Sequence, residues 1–121
     1  MLAALGVVLG AFGAHALKGE LDEAALTIWQ TASRYHLIHA LGLVLVGLWM
    51  SQALTQQLSP RTKKLLAIAG WCMCAGVLLF SGSLYALALG GPAWIGPITP
   101  LGGLFLIGSW TGLFLVAMKS T

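Results

Sequence analysis

Of 121 residues, 59% are hydrophobic and only 7% are charged, with a formal net charge of +3. Soluble domains carry roughly 25% charged residues, and a chain this short could not hide so much apolar surface from water, because small domains leave a large share of their surface exposed. The composition therefore excludes an ordinary soluble domain. Three of the six basic residues, Arg61, Lys63 and Lys64, sit together beside apolar runs, which fits a membrane flank and not the dense basic face of a nucleic-acid binder.

Crossing the hydrocarbon core takes about 20 apolar residues. Residues 1–17 form a first, slightly short apolar helix. Ala14-His15-Ala16 loosely resembles a leader cleavage site, but no Lys or Arg precedes the apolar run and a histidine lies within it, so the stretch reads as a membrane helix. Residues 20–34 behave differently. Leu21, Ala25, Ile28, Trp29, Ala32 and Tyr35 share one helical stripe, while Glu20, Asp22, Glu23, Thr27, Gln30, Thr31 and Arg34 share the other side. Acids lead and Arg34 closes, as the helix dipole favours. This predicts an amphipathic helix in the membrane interface, running into the second span.

The second span covers 35–54. A connection holding Arg61, Lys63 and Lys64 follows, then a third span over 65–89. Gly90-Gly91-Pro92, with Pro97 and Pro100, breaks the apolar run, since proline interrupts helical hydrogen bonding and restricts its predecessor. A fourth span covers 101–118. Cys72 and Cys74, two apart on one helix, point to different sides and read as small buried hydrophobes. No internal repeat or second domain is visible. The expected fold is all-α: a single polytopic membrane domain, 1–121, with four transmembrane helices and one interfacial amphipathic helix.

With four spans, the 55–64 connection shares a side with both termini. Arg61, Lys63, Lys64 and Lys119 lie there, against Lys18 and Arg34 opposite, so the positive-inside rule places both termini in the cytoplasm. Gly6 and Gly10, like Gly108 and Gly112, have the spacing that lets membrane helices approach closely, toward a helix of this chain or of a second copy. Trp29 and Trp94 suit one interface and Trp49 and Trp71 the other, as anchors. Arg34 suits lipid phosphate.

Most catalytic sets are missing from the sequence. The spans carry no Asp or Glu, and no phosphate-binding glycine loop, Cys-x-x-Cys or His-x-x-x-His spacing occurs. Polar groups remain. By depth, His15, His36, His39, Ser81, Ser83, Tyr85 and Thr99 gather in the outer half, and polar groups inside a membrane usually face the bundle interior. Two readings compete. In one, these groups satisfy each other and lock helix packing. In the other, they line a pocket for a small ligand, a proton or a transition metal, with His15 and His39 as titrating or ligating groups. A third fate, contact with interfacial water, suits His36 best. Ser81 with His39 could be drawn as nucleophile and base, but no acid within the spans would orient them, so the sequence leans against an enzyme.

At these residues the sequence is similar to a known family. Gly10-Ala-Phe-Gly-Ala-His-Ala-Leu17, Trp29-Gln-Thr-Ala32, Tyr35 through Leu41, Phe80-Ser-Gly-Ser-Leu-Tyr85 and Ile98-Thr-Pro-Leu-Gly-Gly103 resemble, in order and over almost the whole chain, the domain-of-unknown-function 423 family. That family includes YgdD-like proteins of bacterial inner membranes and resembles eukaryotic transmembrane protein 256. The resemblance implies a multi-pass protein of the bacterial inner (plasma) membrane and no established activity. It also implies a longer first helix, with Met1 inside it, and often a glutamine where His36 stands, which leaves His15 and His39 as the better site candidates.

The resulting expectation is a non-enzymatic accessory or structural membrane component, with the lipid bilayer and either a membrane-protein partner or a second copy as its contacts. The alternative is a small carrier or sensor using the outer-half polar cluster. Neither expectation commits to a cofactor or a metal, and neither includes nucleic acid.

Overall fold

The computed structural model describes residues 1–55 and 59–119. It is all-helical, with α1 over Leu2–His15, α2 over Glu23–Thr55, α3 over Pro60–Ala88, a 3-10 turn over Ala93–Ile95 and α4 over Ile98–Lys119. Three of these stretches are long and apolar enough to cross a membrane, and α1 is a shorter apolar helix. Its 14 residues extend about 21 Å at 1.5 Å per residue, less than a hydrocarbon core of about 30 Å.

Helix ends follow local chemistry. Asp22 opens α2, its Oδ1 accepting from the Ala25 amide at 2.7 Å. Ser59 opens α3 by accepting from the Thr62 amide at 3.2 Å, with Pro60 in the first helical position. The third helix therefore starts five residues before 65, and Arg61, Lys63 and Lys64 ride on its first turns instead of in a connection. Gly90, at φ +82°, ends α3. Its amide donates to Leu87 O at 3.0 Å and that of Gly91 to Ala86 O at 2.8 Å, the paired bonds of a left-handed helix stop. The fourth helix begins at Ile98, three residues before 101. Pro100 falls in its first turn, where a missing N–H costs nothing.

The amphipathic stretch is helical from Glu23 and continuous with α2, whose 33 residues extend about 50 Å. Glu23, Thr27, Gln30 and Arg34 face outward, while Trp29, Ala32 and Ser33 are buried. Trp29 was expected at the interface as an anchor. It is instead only 3% exposed, because α1 folds back over it. The Nε1–H of Trp29 donates to Leu9 O at 2.9 Å, and its ring lies 4.6 Å from that of Tyr85. Trp71 and Trp94 are exposed as anchors would be, whereas Trp49 packs half-buried on the core.

In the packing, α3 is central, flanked by α2 and α4, and α1 packs on α2. Gly6, Gly10 and Gly13 form the α1 side of that seam, against Leu37, Ser33 and Trp29. The partner of the Gly6–Gly10 pair is thus a helix of the same chain. On α4, Gly112 faces Ala69 and Gly108 faces open space. Two apolar clusters result. One joins Val46, Leu66, Met73, Val77, Leu106 and Val116, and the other joins Leu17, Trp29 and Ala88. Buried Ser33, His36, His39, Ser81 and Ser83 lie between them along α2 and α3.

Candidate functional site

The polar layer falls into separate parts. On the α1 side, His36 is 3% exposed and its Nε2 lies 3.0 Å from Leu2 O. A carbonyl can only accept, so Nε2 carries the proton and Nδ1 faces the Tyr85 hydroxyl, at a long 3.5 Å. His36 therefore ties α1 to α2 and does not reach interfacial water, a correction that follows from α1 covering it. On the α3–α4 side, Ser83 Oγ donates to Phe80 O at 2.9 Å and lies 2.7 Å from Thr99 Oγ1. His39 belongs to neither group. Its Nδ1 is 2.6 Å from Tyr35 O, one turn back on α2, and its ring stacks on Tyr35 at 5.7 Å and meets Trp110 at 6.1 Å. His15 ends α1 and is exposed.

The structure thus pairs Ser83 with Thr99 and His36 with Tyr85. His15 and His39 join neither pair. Ser81 Oγ is buried and, among the described residues, has no hydrogen-bond partner, so it forms no nucleophile–base pair with His39. It lines a cavity of about 130 Å³ between α1, α2 and α3, with His36 and Tyr85. Among the described residues, no three of His, Cys, Asp or Glu come together in a way that could hold a metal ion.

Several contributors carry little signal in the sequence. Ser109 Oγ donates to Ala69 O at 2.7 Å, a fully buried bond joining α4 to α3. Its signal was a lone small hydroxyl in an apolar run. Tyr35 and Trp110 meet His39, and Phe80 meets Tyr35; Tyr35 and Phe80 stand in the quoted motifs, and Trp110 is marked only by its aromatic character.

The environments of two histidines predict opposite outcomes. His36→Ala should destabilise the protein by about 2 kcal/mol, combining a lost buried ring with a lost interhelix hydrogen bond. His15→Ala should stay within about 0.5 kcal/mol, as exposed substitutions do. Unfolding in mixed dodecylmaltoside–SDS micelles, followed by circular dichroism, measures both. Equal effects would contradict the assignment.

Compared with known proteins, the chain matches the family model "Protein of unknown function (DUF423)" over residues 9–103. It is similar to the UPF0382 membrane protein YwdK of Bacillus subtilis, with 44% identity over 117 residues, covering 97% of this chain and 89% of the relative. It is also similar to a UPF0382 membrane protein of Staphylococcus haemolyticus, with 39% identity over 115 residues, covering 95% and 87%. No solved structure matches the chain.

Proposed function

The chain belongs to the DUF423 family of membrane proteins of unknown function, and from that premise we propose that it is a non-enzymatic accessory component of a bacterial plasma membrane. One observation carries this reading: most of its buried polar groups hold helices to one another. Trp29 bonds to Leu9 O, His36 to Leu2 O, Ser109 to Ala69 O, and Ser83 to Thr99. Polar groups used in this way stabilise packing in lipid and leave little for chemistry on a substrate. Outward faces rich in Val7, Val8, Leu41, Leu45, Leu104 and Ile107 suit lipid or another membrane helix.

The basic turns at Arg61, Lys63 and Lys64 lie at the same end of the bundle as the end of α4, since Leu66 and Ala69 pack with Leu113 and Val116. By the positive-inside rule this end faces the cytoplasm, with both termini assigned to that side. A reporter active only in the cytoplasm, fused after Thr121, checks the orientation of the C-terminus.

The accessory reading is tested by mild-detergent purification from native membranes with quantitative identification of what co-purifies. A membrane protein recovered in fixed stoichiometry is the expected result. Recovery of the chain alone, or only with copies of itself, would overturn the reading.

A further inference from the structure

His39, like Ser81, is a buried polar side chain that the helix-joining network leaves out. It is 6% exposed, and it lines a groove of about 480 Å³ between α2, α3 and α4. That volume falls within the range of small-molecule sites, which are mostly apolar with a few placed polar groups. Two polar atoms here have a defined sense. His39 Nδ1 faces the Tyr35 carbonyl, which accepts only, so the uncharged ring turns Nε2 toward the groove as a lone pair. No donor among the described residues meets it. Thr111 Oγ1 also lines the groove and donates to Ile107 O at 2.9 Å, so its remaining capacity is likewise as an acceptor. A ligand that satisfies these two atoms must donate hydrogen bonds.

The walls add shape. Tyr35 stacks almost parallel to His39, at 18°, and its ring lies 4.6 Å from that of Phe80. Trp110 also meets the imidazole, tilted at 59°. Aromatic surfaces of this kind favour a flat ring over an aliphatic alcohol. Each flanking segment is one of the candidate membrane spans, so entry is from the bilayer. Lipid tails offer no donor for Nε2, and an unmet polar group in hydrocarbon is costly.

We propose that this groove binds the head ring of a membrane-soluble quinol. One ring hydroxyl donates to Nε2 of His39, and the apolar tail extends into the bilayer between α2 and α4. The same groove discriminates by redox state without any reaction. A quinol carries the O–H donor that Nε2 lacks, whereas the corresponding quinone presents only acceptors, which leaves Nε2 unmet even where the Tyr35 hydroxyl or the Trp110 indole N–H, on residues that also line the groove, donates to a quinone carbonyl.

The test titrates the whole protein in phosphatidylglycerol–phosphatidylethanolamine nanodiscs with decyl-ubiquinol, held reduced, and separately with decyl-ubiquinone. Affinity and the ¹⁵N shift of His39 Nε2 are followed. The expected result is quinol binding about tenfold tighter than quinone, with the Nε2 resonance moving on quinol addition alone. In His39→Phe, which keeps a ring of similar size but no acceptor, the preference should vanish. Equal affinity for the two forms, binding of neither, or a preference that survives His39→Phe would each overturn the proposal. The comparison on the unaltered chain decides the matter even where His39→Phe fails to fold. The accessory reading stands or falls separately, by co-purification from native membranes.

Discussion

Trp29→Ala is expected to destabilise the protein by about 3–5 kcal/mol, the range for removing a large buried aromatic. Three losses combine at this residue. Its ring fills the notch over Gly13, where no Cβ could stand without meeting it. Its tilted ring contact with Tyr85, 4.6 Å between centroids, joins α2 to α3. Its indole N–H crosses to Leu9 O on α1. Since α1 packs on α2, removing the ring also predicts release of α1. With Cys72 and Cys74 replaced, a cysteine at Leu9, which packs on the Trp29 cluster, should then react with a water-soluble maleimide, and should be protected while Trp29 is present. Trp29→Phe keeps most of the packing and loses only the N–H donor, so it should recover all but about 1 kcal/mol. Unfolding in mixed dodecylmaltoside–SDS micelles reads the energies. An effect of Trp29→Ala under 1 kcal/mol would show that α1 is held by other contacts.

This residue also marks where the sequence stops being readable. The amphipathic stripe around Trp29 is legible, but an apolar stripe facing lipid headgroups and one covered by a neighbouring helix have the same periodicity. Only the return of α1 decides between them, and that is set by the register of Gly6, Gly10 and Gly13 against α2. The helix stop at Gly90-Gly91-Pro92 was legible because its chemistry is local: a left-handed residue, two backbone bonds and a proline. The start of α4 was less so, since a proline in a first turn and a proline in a loop look alike in sequence. Depth along the spans groups the polar residues in sequence, but depth does not fix direction. His36 and His39 are three positions apart and differ by only about 60° around the helix. That is enough to put His36 under α1 and His39 on the groove beside Trp110.

Gly102→Ala and Gly108→Ala should shift stability in opposite directions, though the chemical change is identical and both residues lie in α4. In a helix interior, replacing glycine by alanine is favourable by about 1 kcal/mol through backbone entropy and propensity. At Gly108 a Cβ would meet nothing within 4 Å, so that gain should be realised, and the protein should become up to about 1 kcal/mol more stable. At Gly102 the same atom would run into the backbone of Phe80 and Leu79 on α3. Backbone cannot step aside as a flexible side chain does, so α3 and α4 must separate. Overpacking of a close seam costs about 1–3 kcal/mol, at times more. In lipid the loss is not offset by a hydrophobic drive, because the tails are as apolar as the helices and close contact itself carries the association. The seam has a reciprocal notch at Gly76, which receives Leu106, and a buried bond from Ser109 to Ala69 O. A shift at Gly102 therefore strains both neighbours on α4, and Gly102→Ala should come out destabilised by at least 1 kcal/mol net. Gly102→Leu should prevent a stable α3–α4 pair altogether. The same micelle unfolding measurement applies. If Gly102→Ala proves neutral or stabilising, α3 and α4 are further apart at this level than their backbones indicate, and the notch at Gly76 would carry the contact alone.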